Sequence, residues 1–259
     1  MNNENPKCLN CEAEVLRAFC PECGQKQNEP LVSMGHWIGE ALDELFSLDG
    51  KLLRSLKQLI LKPGTLSLFW ARGRRTYYVR PLRLYMFCAF LYFFLLPFQD
   101  QSEGPLTSFF DGWNEVGNEE SGLNLDSIIK LLPAIVAVIM VPIFAAMVGI
   151  FARKQDGHFI LWHLVFSLHF HSVAFLVIVV TNLAPSSISD AADLSLLIGL
   201  VTYLVMALKS TYELSLLRSL IGGAFILLGY LFFYAVFILS IAAAVQAIEI
   251  NAGNLSRLW

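Results

Sequence analysis

The chain has 259 residues, of which 56% are hydrophobic and only 15% are charged, with a formal net charge of −3. A soluble domain of this length carries roughly a quarter charged residues, so the composition argues against a soluble globular protein. The absence of excess positive charge also does not favour nucleic acid as a partner. Because the apolar residues are concentrated in long runs, the composition indicates an integral membrane protein.

The first element is a paired CxxC motif within residues 1–30. It reads Cys8-Leu-Asn-Cys11 and Cys20-Pro-Glu-Cys23-Gly24, which is the ligand set of a small zinc ribbon. Four thiolates close the coordination sphere of zinc and leave no position for a substrate, so we expect one structural Zn²⁺ per chain. Iron or a redox-active pair of dithiols is the alternative, and a metal-free module is the third possibility.

Residues 31–80 are expected to form amphipathic juxtamembrane helices. An acidic helix surrounds Trp37–Phe46, and a second helix with a leucine stripe ends at Lys62-Pro63-Gly64. A short third helix is expected from Thr65 through Arg72, with Gly73 as its left-handed terminator. A basic collar follows at the start of the first apolar run; its residues are Arg72, Arg74, Arg75, Arg80 and Arg83, interleaved with Trp70, Tyr77 and Tyr78. Such a collar typically anchors to anionic lipid headgroups. The candidates for headgroup binding are Arg72, Arg74, Arg75, Tyr78 and Arg80.

Residues 81–259 are expected to form a bundle of about five transmembrane helices, so the predicted fold is an all-α polytopic membrane protein with a small N-terminal zinc ribbon. The expected spans are about Leu82–Phe98, Ile128–Phe151, Phe159–Leu183, Leu194–Leu208 and Ser219–Ile248. The fourth is short for about 30 Å of hydrocarbon, and the fifth is long enough to tilt or to project beyond the bilayer.

The distribution of charge predicts the orientation of these spans. Residues 51–83 contain nine Lys and Arg, whereas the loop from Asp100 to Asp126 contains seven acids and no basic residue. Because basic loops stay on the cytoplasmic side, five spans place the N-terminus inside and the C-terminus outside. A cytoplasmic ribbon also agrees with the reducing compartment that free thiolates need. The expected location is the inner membrane of a bacterium.

Polar residues inside the third expected span are candidates for function, because ionisable groups at bilayer depth are costly. His163, Ser167 and His171 share one seam of the helix, while His169 points to roughly the opposite side. Tyr85 and Tyr203 on other spans are expected partners of this seam. The favoured interpretation is a set of hydrogen bonds between helices. A ligand, lipid-headgroup or proton pathway is the second interpretation, and a metal or haem site is the third.

Several short elements extend the cysteine pattern along most of the chain. They are Leu61-Lys62-Pro63-Gly64, Gly73-Arg74-Arg75 with Tyr78 and Pro81, the segment His163 to Ser172, Tyr203 and Tyr212. Together they resemble an uncharacterised bacterial zinc-ribbon membrane family, domain of unknown function 3667. The resemblance implies a ribbon on a multi-span helical body and no established reaction. This chain departs from the expected pattern at Trp162, where the family suggests an acid before the histidine.

These observations favour an integral membrane protein whose ribbon is a structural docking module. Such a protein would handle a lipid or small solute, or would scaffold a membrane complex through a cytoplasmic protein bound at the ribbon. One alternative is an intramembrane enzyme that acts on a lipid phosphate through the seam of His163 and His171. Another is a sensor of zinc or redox state. No catalytic motif such as G-x-S-x-G, H-E-x-x-H or a P-loop is present in the sequence.

Overall fold

The architecture was analysed in a computed structural model, which describes residues 7–15, 18–25, 50–95, 125–152, 160–183 and 189–256. Seven α-helices lie in these ranges: α1 (Gly50–Leu61), α2 (Thr65–Ala71), α3 (Pro81–Leu95), α4 (Leu125–Phe151), α5 (Ile160–Asn182), α6 (Ser189–Thr211) and α7 (Leu216–Ser256). Within the described residues there is no strand, apart from an isolated bridge between Lys7 and Glu14. The fold is therefore mostly helical, as expected. The expected acidic helix around Trp37–Phe46 lies outside the described residues.

Three of the helices are long and apolar enough to cross a membrane, over Ile160–Val180, Leu194–Thr211 and Leu216–Ile241. Two further apolar stretches, Pro81–Leu95 and Ala137–Phe151, are shorter in the part that is described. These lengths indicate a membrane protein with at least three candidate spans. The fourth candidate span begins at Leu194, as expected, and ends three residues later than expected, at Thr211; the helix that contains it, α6, begins earlier, at Ser189.

Helix α5 lies at the centre of the structure and contacts α2, α3, α4 and α6. Its residues enter both large apolar clusters of the core. Val165, Leu168 and Phe175 pack with α1, α2 and α3, whereas Phe166 and Phe170 pack with α4, α6 and α7. The ring of Phe170 stacks on Phe144 of α4 at 4.8 Å between centroids. The position of α5 explains why its polar side chains are buried on several sides at once.

Helix α1 packs on α3 and α5, and helix α2 packs on α5 and α6. Leu52, Ser55 and Leu59 form the buried face of α1, and Leu66, Ser67 and Trp70 form the buried face of α2. Because α1 contacts α3 and α5, the second expected juxtamembrane helix packs on the body of the protein. Its exposed residues include Leu53 and Ile60, which belong to the same leucine stripe in the sequence.

The turn between α1 and α2 is fixed by the end of α6. The hydroxyl of Ser210 donates to the carbonyl of Pro63, and the Thr211 hydroxyl donates to the carbonyl of Gly64 at 3.0 Å. Gly64 has φ +77°, and a Cβ at this position would lie 2.6 Å from Thr211 Oγ1 and closer still to Ser210. The turn therefore needs glycine both for its backbone conformation and for the close approach of α6.

Helix α2 ends in a Schellman motif. The N–H of Gly73 donates to the carbonyl of Trp70 at 3.1 Å, and the N–H of Arg74 donates to Phe69 at 2.9 Å. Gly73 has φ +82°, which agrees with its expected role as the left-handed terminator of this helix. The motif turns the chain sharply, so that residues 73–76 leave α2 and run beside the N-terminal cysteines.

Candidate metal centre and the collar that it contacts

The two CxxC segments have matching backbones. The N–H of Cys8 donates to the carbonyl of Ala13, and the N–H of Cys20 donates to that of Gln25, both at 2.8 Å. Four residues after each of these cysteines, Glu12 and Gly24 have φ values of 66° and 72°, and their N–H groups donate back to the first cysteine of each turn. Residues 7–15 and 18–25, called here the cysteine module, are thus two equivalent tight turns. Each turn presents two sulfurs to the same point.

The four sulfurs converge on one site. All four Sγ atoms lie within 4.8 Å of one another, with Cys8 to Cys23 at 3.6 Å and Cys11 to Cys20 at 3.5 Å. In a regular tetrahedron with a Zn–S bond of about 2.3 Å, sulfurs lie about 3.8 Å apart. The N–H of Asn10 also points at Cys8 Sγ at 3.5 Å, as amides around a thiolate site do. The donor set and its spacing fit a tetrahedral metal ion.

The acid–base properties of the cluster differ between its cysteines. Burial raises the pKa of Cys8, but hydrogen bonds from the amides of Cys11 and Asn10 and from the neighbouring thiols lower it to about 6. The amide of Ala13 lowers the pKa of Cys11, yet desolvation and the three other sulfurs raise it to about 12. Four adjacent thiols cannot all ionise without a compensating cation. A divalent metal supplies that charge and displaces the remaining protons, so its affinity increases with pH.

The cysteine module contacts the basic collar directly. Gln25 donates from Nε2 to the carbonyl of Gly73 at 2.7 Å, and its Oε1 accepts from the amide of Arg75 and the hydroxyl of Thr76, both at 3.3 Å. Leu9 lies against Gly73, where a Cβ would come within 2.8 Å of its Cδ1. Glu12 forms an exposed ion pair with Arg74 at 3.4 Å. The module is therefore attached to the segment that joins α2 to α3.

The five residues that were expected to bind lipid headgroups make different contacts in the structure. Arg74 lies over the ring of Phe69 at 5.6 Å, and Tyr78 stacks on that same phenylalanine at 5.7 Å. Arg75 lies over the indole of Trp70 at 5.0 Å. Arg72 pairs with Glu213 at 2.8 Å, and Arg80 is half-buried next to the start of α3. The structure brings Arg72 and Arg75 together and directs Arg74 to the cysteine module.

Arg72 and Arg75 line a cavity of about 450 Å³. Its walls come from α2, from the start of α5 and from the turn between α6 and α7. The polar and aromatic residues of the lining are Ser67, Trp70, Trp162, Thr211, Tyr212 and Glu213. The cavity thus lies where four helices end, at the end of the bundle that carries the cysteine module.

The polar residues of the α5 seam form hydrogen bonds with other helices and turns along its length. His163 Nδ1 lies 2.8 Å from the hydroxyl of Tyr212, and Ser167 donates to the carbonyl of Val141 at 2.7 Å. His171 Nδ1 lies 2.8 Å from the carbonyl of Ser167, and its Nε2 lies 3.3 Å from the hydroxyl of Tyr230. The three residues occupy one side of α5, but each contacts a different helix or turn. In the described residues they form no common ligand set.

The remaining expected polar residues bond elsewhere. The hydroxyl of Tyr85 donates to the carbonyl of Ala137 at 2.9 Å, and that of Tyr203 donates to Leu59 at 2.8 Å. Both tyrosine hydroxyls therefore donate to backbone carbonyls of other helices, and the hydrogen bonds of the histidines described above go to other groups. His169 faces α2, where its Nδ1 lies 2.8 Å from Ser67 Oγ. Its Nε2 is buried and has no hydrogen-bond partner among the described residues.

Sequence reasoning did not identify several residues of these contacts. Gln25, Ser67, Glu213 and Tyr230 were not among the expected site residues, and Trp162 was noted only as a departure from a pattern. None of them belongs to a motif with fixed spacing, and their partners lie far along the chain; Gln25 contacts residues 48 to 51 positions away. Of these residues, Glu213 is the one that the sequence pattern could have indicated, because it is an acidic residue in a short basic segment between two apolar runs.

The profile of a family described as a protein of unknown function (DUF3667) matches residues 49–93. The matched segment contains the Pro63-Gly64 turn and the collar, so the expected resemblance is confirmed for α1, α2 and most of α3. No match was found among curated proteins or among solved structures. The family description carries no activity.

Proposed function

We propose that this chain is a polytopic membrane protein that binds a lipid or small solute without catalysing a reaction, and that its N-terminal cysteines form a structural zinc ribbon used as a docking module. The contact of Gln25 with Gly73, Arg75 and Thr76 is the observation that carries this proposal. It attaches a metal-dependent module to a segment whose arginines line a cavity. A ribbon of this size has almost no apolar core, so the metal supplies its folding energy.

The proposed location is a bacterial inner membrane, with five spans, the N-terminus in the cytoplasm and the C-terminus outside. The support for this orientation is the concentration of Lys and Arg next to α3 and the acidic sequence between α3 and α4. The collar contacts both the cysteine module and the turn between α6 and α7, so all three lie at the same end of the bundle. In this orientation the ribbon is available to a cytoplasmic protein, and the collar lies at anionic lipid headgroups.

The hydrogen bonds of α5 give the catalytic alternative less support. His163 and His171 each contact a tyrosine hydroxyl on another element, which is the geometry of links between helices. Ser67 and His169 are close enough for a nucleophile and its base. However, a catalytic base is normally oriented by a third group, and the Nε2 of His169 has no such partner among the described residues.

The test is the metal content of the full chain purified in a neutral detergent. We expect one zinc per chain in the wild type and none in Cys20→Ser, with the variant still present in the membrane fraction. Cys88→Ser is the matched control, because Cys88 is buried in α3 and lies outside the cluster. It should retain the metal.

Two results would contradict this proposal. More than one zinc per chain in the wild type, with the additional metal surviving in Cys20→Ser, would place a second metal site in the membrane and would favour the enzyme. Loss of Cys20→Ser from the membrane fraction would show that the ribbon and the helical body do not fold as separable units.

A further inference from the structure

The cavity at the collar has the size and the composition of a small-molecule site. Its volume of about 450 Å³ lies within the range of ligand pockets, which is roughly 300–1,000 Å³. Leu161, Val165 and the indole groups of Trp70 and Trp162 provide apolar walls. The charged residues of the lining are Arg72, Arg75 and Glu213, so positive charge is in excess.

Arg75 has unused hydrogen-bonding capacity in this cavity. Its guanidinium lies over the ring of Trp70, and its Nε is buried with no hydrogen-bond partner among the described residues. The backbone of the same residue is held by Gln25 of the cysteine module. Because Nε has no accessible surface, an anion in the cavity would meet the terminal nitrogens of this guanidinium instead. The planar guanidinium donates two parallel hydrogen bonds to a phosphate.

The side chain of Arg72 forms an ion pair that a bound anion can replace. Its ion pair with Glu213 is short, but the two side chains are 57% and 71% exposed. Exposed pairs of this kind contribute little to stability, so Arg72 can leave Glu213 for a stronger acceptor. Glu213 then acts as an internal competitor of the anion. Removal of its carboxylate should strengthen binding of a negatively charged ligand.

The depth of the cavity favours a phosphate over other anions. It lies where α5 begins and where α6 ends, both of which are apolar helices long enough to cross a membrane. In a bilayer this is the level of the phosphates of the lipid headgroups, where Trp and Tyr are also enriched. Trp70, Trp162 and Tyr212 of the lining match this environment.

We propose that the cavity between α2, α5 and the α6–α7 turn is a binding site for a phosphate group, held by Arg75 and Arg72, of a lipid headgroup or of a soluble phosphate ester. The inference rests on the proposed function, because it names the class of the lipid or solute that the protein binds. It also gives Trp162, Tyr212 and Glu213 a role that the collar sequence alone does not indicate.

The experiment measures binding to the zinc-loaded full chain in a neutral detergent by calorimetric titration. The probes are dioctanoyl phosphatidic acid, glycerol 3-phosphate and dioctanoylglycerol, which is the same lipid without phosphate. For phosphatidic acid we expect Arg75→Gln to raise the Kd by about tenfold or more. Glu213→Gln should lower it by about two- to fivefold, because it releases Arg72. Arg54→Gln is the matched control and should stay within about twofold, since Arg54 lies over Tyr77 outside the cavity.

The probes distinguish a lipid headgroup from a soluble ester as the source of the phosphate. They also distinguish failure of this inference from failure of the proposed function. Tight binding of glycerol 3-phosphate supports a soluble ester, and binding of phosphatidic acid alone supports a headgroup. Binding of dioctanoylglycerol as tight as that of phosphatidic acid would overturn this inference and leave the proposed function intact. No binding of any probe would also overturn this inference, whereas the proposed function is tested separately by the metal content of Cys20→Ser. If Arg75→Gln fails to fold, an unchanged Kd in Glu213→Gln would still overturn the inference.

Discussion

Ser67 and His169 form one of the longest-range polar contacts inside the protein. They lie 102 residues apart in the chain, both side chains are buried, and the contact joins the short helix α2 to the centre of α5. The second ring nitrogen of His169 has no partner among the described residues. The whole polar environment of this imidazole, as far as it is described, therefore depends on one hydroxyl.

We expect Ser67→Ala to lower the free energy of unfolding by about 1–3 kcal/mol, because it leaves a buried imidazole without its partner. The measurement is unfolding in mixed micelles. Ser240→Ala is the control, because Ser240 is exposed and its hydroxyl donates to the carbonyl of Val236 on its own helix. Its effect should stay within about 0.5 kcal/mol. Equal effects of the two substitutions would contradict the structural role of the contact.

At the scale of elements, the turn between α1 and α2 determines where the collar lies. Two hydroxyls at the end of α6 bind the carbonyls of Pro63 and Gly64, and α2 begins directly after this turn. The same short helix then contacts α5 and ends in the Schellman motif at Gly73. A change in the backbone conformation of Gly64 would therefore displace α2, the collar and the attached cysteine module together.

We predict that Gly64→Ala lowers the free energy of unfolding by about 3 kcal/mol or more. The left-handed conformation alone costs an L-residue about 1–2 kcal/mol, and the added Cβ also collides with Ser210 and Thr211. Gly50→Ala provides the comparison, because its Cβ would meet nothing within 4 Å and its φ is not positive. A Gly64→Ala protein as stable as Gly50→Ala would show that α6 does not hold this turn.

The helices themselves were largely predictable from the sequence. Apolar runs and the breaks at Pro63-Gly64 and Gly73 located α1 to α3, and the predicted apolar runs overlap α4 to α7. The apolar run of α6 begins at Leu194 as predicted, but the helix itself begins five residues earlier, at Ser189. Polar residues such as Ser189 and Asp190 extend a helix beyond its apolar run, so hydropathy alone does not find its start.

The convergence of the four cysteines was predictable, whereas the cavity was not. Paired CxxC spacing determines a local geometry, and the four sulfurs indeed lie within 4.8 Å of one another. The cavity requires α2, α5 and the α6–α7 turn to meet, which no local pattern specifies. Its walls therefore combine two residues of the collar with Trp162, Tyr212 and Glu213 from distant segments.

At the scale of the whole molecule, the outer surface is apolar on α6 and α7. Leu197 and Ile198 are each 58% exposed on α6, and Leu228 on α7 is 69% exposed. The polar residues of α5, including His163, Ser167 and His171, are buried instead. This inverted arrangement, with apolar side chains outside and polar hydrogen bonds inside, fits a lipid environment.

The number of spans can be tested with introduced cysteines and a membrane-impermeant maleimide on intact cells. If α3 and α4 both cross the membrane, we expect Ser108→Cys in the acidic sequence between them to be labelled from outside. Ser186→Cys between α5 and α6 should also be labelled, whereas Lys154→Cys should react only after permeabilisation. Labelling of Ser186→Cys with protection of Ser108→Cys would mean three spans and would contradict five.

Helix α2 contacts α5 and α6, and its turn is bound by Ser210 and Thr211, so its partners are synthesised long after it. At roughly 5–20 residues per second, the ribosome needs on the order of ten seconds to proceed from α2 to the end of α6. During that interval Leu66 and Trp70 lack the surfaces that later bury them. Biogenesis of this protein therefore includes a period in which α2 lacks its contacts with α5 and α6, and the collar reaches its final position only after α6 has been made.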